Sequence, residues 1–385
     1  MDFDVVIIGG GLVGASLAAA LKSSGLSLAL LENSTASTRF EGWDSRIYAI
    51  SPGNAKFLAD CGAWQRIDAT RIQQVTDMRV YGDQGAELDF SAYQLGAPEL
   101  NFILENRLLQ QALWQVLQQQ DNLTLYNPAR CVSIDRQEDS TTLVLEDGRS
   151  LTTRLVVGAD GPDSWVRQQA GICAAPNAYE QLGVVANFKV ETPHRGTAFQ
   201  WFQQDGILAL LPLPQQMVSM VWSVSTEQGA ELLALSAEEL CKRVTEASHH
   251  ALGTLELVTP AAAFPLRLLN LPHITAPRLA LVGDAAHNVH PLAGQGVNLG
   301  FRDARELARV LTERGGQPDC GNAHLLRHYE RARREDIASM LAVTHALQKL
   351  FNNSNPFLRN LRNIGLSITN QITPLKKMLA RHALN

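Results

Sequence analysis

Residues 279–300 read LALVGDAAHNVHPLAGQGVNLG, an apolar strand that gives way to glycines, small residues and a few polar groups. Asp284 stands just beyond the strand, behind Gly283. A carboxylate there can hydrogen-bond a sugar-type hydroxyl, or merely cap the short helix AAH. From Pro291 onward the pattern is a loop running into a helix that continues through Leu307 and Val310, with Gly294 and Gly296 bare at its entrance. Such a helix start presents free N–H groups and the positive end of the dipole, and glycines let those donors approach an electron-rich ring.

A second glycine cluster lies at the other end of the chain. DFDVVIIGGGLVGASLAAALKSSGLSLALLEN reads as strand, turn, helix, turn and strand, with Gly9, Gly11 and Gly14 in G-x-G-x-x-G order. The first glycine permits the tight turn, the second lets backbone approach a pyrophosphate, and the third lets the helix pack on the sheet. The helix is predicted from about Ala15 to Lys22, with Gly25 as a left-handed cap. Glu32 ends the next strand, where it can accept hydrogen bonds from an adenosine ribose or stand as a solvated strand end. The motif alone serves NAD and FAD equally. After Glu32, however, the βα units stop, and a polar loop carrying Arg46 leads into a helix. Two nucleotide-contacting stretches at opposite ends of the chain suit one long cofactor, FAD, with its adenosine end at residues 9–32 and its flavin end at residues 284–298.

Between them the chain changes character. Residues 75–90 read as extended segments, and ENRLLQQALWQVLQQQ as a helix with Leu109, Leu113 and Val116 on its apolar face. An antiparallel meander follows, with a hairpin turn at Asp147-Gly148. Strand patterns return from Gln181 to Val224, then a helix near Ala237–Ala247, then the strand AAAFPLRLL. The fold class is therefore α/β: a Rossmann-like domain interrupted by a mostly β domain, with a helical C-terminal region. The expected division is a discontinuous FAD-binding domain over residues 1–74, 98–178 and 275–345. A substrate-binding β-sheet domain covers 75–97 and 179–274, and a basic amphipathic helical segment covers 346–385.

Composition narrows the class further. The chain has 385 residues, 45% hydrophobic and 18% charged, which is enough to bury two cores. A net charge of −5 speaks against nucleic acid as a partner. Five cysteines without paired spacing argue against a disulfide framework or a zinc site and fit a reducing compartment. No apolar run is long enough to cross a bilayer, so the cytoplasm is the expected location.

GxGxxG, GADGPDSWVR and GDAAHNVHPLAGQGVNLGFRD together resemble the FAD-dependent class A aromatic hydroxylases of the para-hydroxybenzoate hydroxylase type. ENRLLQQALW, GDAAHNVHPLAGQGVNLG and RNIGL are similar, more narrowly, to the bacterial ubiquinone-biosynthesis hydroxylases, over nearly the whole chain. The resemblance implies a monooxygenase that hydroxylates the aromatic ring of a polyprenylated phenol. NADH or NADPH would act as a transient reductant, and O2 would react through a flavin C4a-hydroperoxide. It also implies that Arg46 and Arg107 contact the FAD diphosphate region, although either could be a surface arginine. By the same resemblance Asp284 binds a cofactor ribose or ribityl hydroxyl. Pro291, Gly294, Gly296 and Asn298 line the isoalloxazine, and Asp160 engages FAD and NAD(P)H. The alternatives are a hydroxylase of a small soluble aromatic acid, or an FAD-binding subunit of a biosynthetic complex that does not hydroxylate.

A cofactor that carries the hard chemistry leaves few acid or base groups to find, and no catalytic residue is assigned. His287 and His290 sit in the flavin stretch, but histidines in structured loops are more often hydrogen-bonded spacers. Tyr48, Trp201 and Trp222 could line a ring pocket, although strand aromatics are usually core. Leu210, Leu211 and Pro212 are expected as wall facing the flavin. The last stretch is basic: from Ile337 to Asn385 there is no Asp or Glu, while Lys349, Arg359, Arg362, Lys376, Lys377 and Arg381 are present. It is either a helix packed on the body or a surface for anionic lipid or for other ubiquinone-biosynthesis proteins, which would make the protein peripheral on the inner membrane.

Overall fold

A computed structural model describes residues 1–34, 42–82, 85–173, 177–203, 206–289 and 295–351. Among them two large sheets organise the chain. The first runs parallel through Leu279–Leu281, Ser150–Gly158, Phe3–Ile8, Leu28–Leu31 and Leu123–Tyr126, in that spatial order. Its central strands are almost wholly buried, as expected of runs such as VVII and LALL with helices on their faces.

The helix Leu12–Ala20 is made almost entirely of small and apolar residues because it is enclosed on all sides. The helix Gln295–Thr312 lies against it at Gly300, where a Cβ would fall 2.6 Å from Val13 Cγ2. The meander forms as expected over Cys131–Arg136, Thr141–Leu145 and Ser150–Gly158. Its last strand has a second role, running parallel to Phe3–Ile8 with Gly158 opposite Ile8 and Leu281.

The second sheet has nine strands, mostly antiparallel, built from Asp77–Tyr81, Glu87–Ser91 and the segments between Asn177 and Asn288. Alternation divides its two faces. Phe199, Trp201, Leu208, Met220 and Trp222 point to one side, where they share a core with Leu232, Leu240 and Val244 of the helices Thr226–Ala234 and Ala237–Ala247. Ala198, Gln200, Phe202, Ile207, Val221 and Ser223 point to the other side, towards the parallel sheet. A three-stranded sheet of Ile47–Ile50, Gln73–Val75 and Asn101–Glu105 stands between the two. The helix Ala323–Phe351 takes in the first residues of the expected tail segment; 352–385 lie outside the described residues.

Candidate active site

Strand register brings the motifs together. Ile8, Leu31, Gly158 and Leu281 are aligned across adjacent parallel strands, so the residues that follow them emerge along one edge. Gly9, Glu32, Asp160 and Asp284 are those residues or stand within two positions of them. Ligands bind outside the carboxyl ends of such strands. A cavity of about 1860 Å³ opens there and continues across the inner face of the second sheet. That exceeds the roughly 300–1,000 Å³ of a site for one small molecule, and so accommodates a long cofactor and a second ligand.

The three motif glycines are required for different reasons. Gly9 has φ +110°, and a Cβ on it would lie 2.3 Å from the Ala159 carbonyl oxygen. A Cβ on Gly14 would lie 2.0 Å from Gly9 O. A Cβ on Gly11 would meet no side chain and no other part of the backbone within 4 Å; it would face the cavity. The donor set beside it therefore fits a pyrophosphate on a bare backbone edge and a helix N-terminus. Glu32 is more engaged than a strand-end carboxylate would be. It accepts from Gly10 N at 2.7 Å, Ser34 N at 2.7 Å and Ser34 Oγ at 2.6 Å while lining the cavity.

Asp160 lines the cavity and accepts from Ser164 Oγ and from Val166 N at 3.0 Å, which fixes the turn into the helix Trp165–Gln169. Arg167 on that helix reaches across to donate to Ala285 O at 3.0 Å, tying this turn to the one that carries Asp284. Asp284 sits inside the turn Gly283–Ala285, with its carboxylate open to the cavity. It is accessible by surface area, yet protein surrounds it on most sides. Burial accordingly raises its pKa, partly countered by His287 and Arg46, while Asp303 adds to the rise. Arg46 lines the cavity with its guanidinium 5.7 Å from the centre of the Tyr48 ring. Burial likewise raises the Tyr48 phenol.

Two expected contacts are placed differently. Arg107 is not on the cavity wall; it donates to Gly42 O and to Glu105 at 3.2 Å. Glu105 is fully buried and also meets Arg71 and Asp44 N. The group as a whole braces the loop that delivers Arg46. Asn298 turns its side chain inward, accepting from Ser51 N at 2.9 Å and donating to Ala49 O at 2.8 Å. Gly296 does border the cavity, where the helix Gln295–Thr312 begins. His290, Pro291 and Gly294 lie outside the described residues. Of the expected ring-pocket aromatics only Tyr48 faces the cavity; Trp201 and Trp222 belong to the far-face core. Of the expected wall, Leu211 lines the cavity and Leu210 is buried in that far core.

A buried ion network beneath the site was not anticipated. Asp303 Oδ2 accepts from Gly283 N at 2.9 Å and from His287 Nε2 at 2.6 Å, and its Oδ1 accepts from Arg333 Nε at 2.7 Å. Burial alone would raise the Asp303 pKa, but His287 and Arg333 outweigh it and hold the carboxyl below its ordinary value. The available signal was a carboxylate between Leu299 and Leu307, four residues from each, in an apolar helical stripe.

Parallel strand ends, glycine turns and an adjoining apolar sheet define a flavoprotein built to hold a dinucleotide beside a second ligand. The chain matches the family model described as FAD binding domain over residues 2–344, and it belongs to that family. It is 37% identical to ubiquinone hydroxylase UbiL of Rhodospirillum rubrum, covering 99% of this chain and 89% of that one. It is 34% identical to 3-demethoxyubiquinol 3-hydroxylase of Escherichia coli, covering 99% and 98%. In structure it is similar to Pseudomonas aeruginosa PqsL in complex with 2-aminobenzoylacetate. That TM-score is 0.79 at 25% identity, over 94% of this chain and 99% of that one. The motif resemblance therefore holds, FAD is the cofactor, and the protein is a flavin-dependent monooxygenase.

Proposed function

We propose that this protein hydroxylates the ring of a polyprenylated phenol in ubiquinone biosynthesis, consuming NADH or NADPH and O2. The observation that carries the substrate class is the reach of the cavity. Beyond the dinucleotide edge it runs over Met78, Val80, Leu88, Phe90, Phe202 and Ile207, an apolar surface larger than a small aromatic acid can use. Burying an isoprenoid chain there gains about 25 cal/mol for each Å² removed from water. The two sequence relatives, a ubiquinone hydroxylase and a 3-demethoxyubiquinol 3-hydroxylase, support the same pathway.

Bound FAD would supply the electron-transfer and oxygen-activating chemistry. The chain's own residues bind, orient and exclude water. Gly9, Gly11, Gly14 and Glu32 would hold the adenosine end, with Arg46 near the diphosphate. Asp160 and Asp284 would take the middle of the cofactor, and the start of the helix Gln295–Thr312 the flavin end. Arg107 would act by bracing the Arg46 loop, and Asn298 through its backbone. On this reading residues 1–74, 98–178 and 275–345 form the FAD-binding unit, and 75–97 with 179–274 the substrate unit. Among the described residues no helix is long and apolar enough to cross a membrane. The basic stretch after Ile337 would therefore bring the enzyme to a lipid surface that holds its substrate.

The test is incubation with NAD(P)H, ¹⁸O₂ and a short-chain polyprenylphenol, followed by mass spectrometry. One labelled oxygen on the ring is the expected product. Phenol recovered unchanged from FAD-loaded protein would favour a cofactor-holding subunit. Hydroxylation only of a tail-free aromatic acid would replace the substrate class.

A further inference from the structure

Among the cavity-lining residues of the strands Thr197–Gln203, Gly206–Leu213 and Met217–Ser225, two polar side chains stand in an otherwise apolar wall. Gln200 and Ser223 are each 5% exposed, and both line the cavity. Their strand neighbours Phe199, Trp201, Trp222 and Val224 belong to the far-face core, so alternation aims Gln200 and Ser223 inward. Neither side chain hydrogen-bonds to another described residue, and register explains why. Gln200 lies between Val80 and Ala209, and Ser223 between Ile207 and Gly183. Those neighbours offer a methyl group, a hydrocarbon chain or no side chain at all. Buried polar groups are nearly always paired, so an amide and a hydroxyl left open towards a cavity mark the place where a ligand supplies the partners.

Charge limits what that ligand can be. The only cations among the described residues of the cavity wall are Arg46, Arg130 and Arg267. Arg46 stands beside Tyr48 and acts on Asp284, Arg130 lies 3.6 Å from Glu146, and Arg267 is paired with Asp163. None of these is hydrogen-bonded to Gln200 or Ser223, and none lies on a strand that pairs with theirs. Their strands are two apart and their rows one step apart, a span of about 12 Å that a long glutamine side chain shortens. An oxygen-substituted aromatic ring can bridge such a gap with one hydrogen bond at each end.

We infer that Gln200 and Ser223 orient the substrate by hydrogen-bonding uncharged ring oxygens, and that this part of the cavity discriminates against ring carboxylates. The inference rests on the hydroxylase reading but concerns binding alone. An ionised carboxylate here would lose its hydration without gaining a cation, whereas a neutral phenol with a second uncharged ring oxygen loses little and satisfies both open groups.

The experiment uses oxidised, FAD-loaded protein and reads the perturbation of the flavin spectrum on titration with 4-methoxy-2-prenylphenol or 3-prenyl-4-hydroxybenzoate, which differ in having a neutral ether or a carboxylate opposite the phenol. Wild type should bind the phenol at least about tenfold more tightly than the benzoate. Gln200→Leu should weaken phenol binding by about tenfold, the scale of one hydrogen bond, without loss of thermal stability or FAD. Ser223→Ala should act in the same direction. Gln200→Arg should recover benzoate binding by adding the missing cation. Wild-type protein that binds the benzoate as tightly as the phenol overturns the inference, whatever the variants do. So does a folded Gln200→Leu variant with wild-type affinity for both. Selective phenol binding without hydroxylation would sink the hydroxylase reading and leave this one standing.

Discussion

Nε2 of His287 lies 2.6 Å from Oδ2 of Asp303, and both side chains are closed to solvent. Because Asp303 is held in its ionised form, that nitrogen carries a proton and donates it to the carboxylate. The same oxygen accepts from Gly283 N, the residue before Asp284. His287 and Asp303 therefore form the footing of the turn that presents Asp284, and Arg333 fastens that footing to the helix Ala323–Phe351.

Removing the footing leaves buried groups short of partners. Asp303→Ala takes one of two carboxylates from the buried Arg333 guanidinium, which keeps Asp336, and strips the Gly283 N–H of its acceptor, at a cost of about 3 kcal/mol. The variant should melt well below wild type and retain little FAD, which thermal unfolding and the visible spectrum both report. The sign of the pH effect follows from a folded pKa held below the ordinary value. The stabilisation is complete above the unfolded carboxyl pKa of about 3.9 and is lost as pH falls below it. Asp303→Asn should show a shallower acid limb than wild type.

A supporting histidine and a catalytic one fail differently. His287→Gln should lose stability by about 1–3 kcal/mol, because one donor to a buried carboxylate is weakened. Its pH profile for flavin reduction should keep the wild-type shape. Disappearance of one limb of that profile would mark His287 as a proton carrier instead.

Gly11 and Gly14 separate ligand binding from folding. Gly14→Ala drives a methyl group into the Gly9 carbonyl oxygen, so soluble, folded protein should be scarce. Gly11 has φ −67° and a Cβ added to it meets open space, so Gly11→Ala should fold with stability equal to wild type or higher by about 0.4–1 kcal/mol. FAD affinity should nevertheless drop by more than about tenfold, because the methyl group occupies space the pyrophosphate needs. Wild-type FAD affinity in Gly11→Ala would mean that the cofactor does not pass this edge.

Asp284 should show a trade between stability and function. Burial raises its pKa, so the protonated form suits the fold, and stability is lost as pH rises from about 3.9 through the raised value. At neutral pH the full penalty is present. Asp284→Asn should therefore raise the melting temperature of the apoprotein while weakening FAD binding. A fall in both would show that the carboxylate supports the fold.

The basic stretch predicts lipid attachment that is independent of the cofactor. A chain ending after Phe351 loses Arg359, Arg362, Lys376, Lys377 and Arg381. It should bind FAD normally but no longer float with vesicles containing anionic lipid, while full-length protein floats and is released by salt. Full-length protein that ignores such vesicles removes the membrane reading.

How far the sequence could be read depended on where the partners lay. The motif glycines were legible because strand, turn and helix are consecutive, and Gly9 and Gly14 have steric reasons that any such turn imposes. The second strand of the parallel sheet followed from its unbroken apolar run, and the meander from local alternation. Asp303 was harder, because its partner Arg333 lies 30 residues away on another helix and only an apolar stripe around it gave a sign. Gln200 and Ser223 were hidden for another reason. TAFQWFQ and MVSMVWSVS are apolar on both faces, so period-two alternation marks strands without saying which face meets the cavity. The tryptophans took the helix-covered face, where their area is best buried, and Gln200 and Ser223 fell on the face that meets the cavity.

The most direct measurement is the visible spectrum of the purified protein followed anaerobically after adding NAD(P)H, with and without a short-chain polyprenylphenol. The convergence of residues 9–32 and 284–298 on one cavity predicts a bound flavin whose bleaching accelerates when the phenol is present. Protein that carries no flavin, and takes up none on reconstitution with FAD, would contradict the account at its centre.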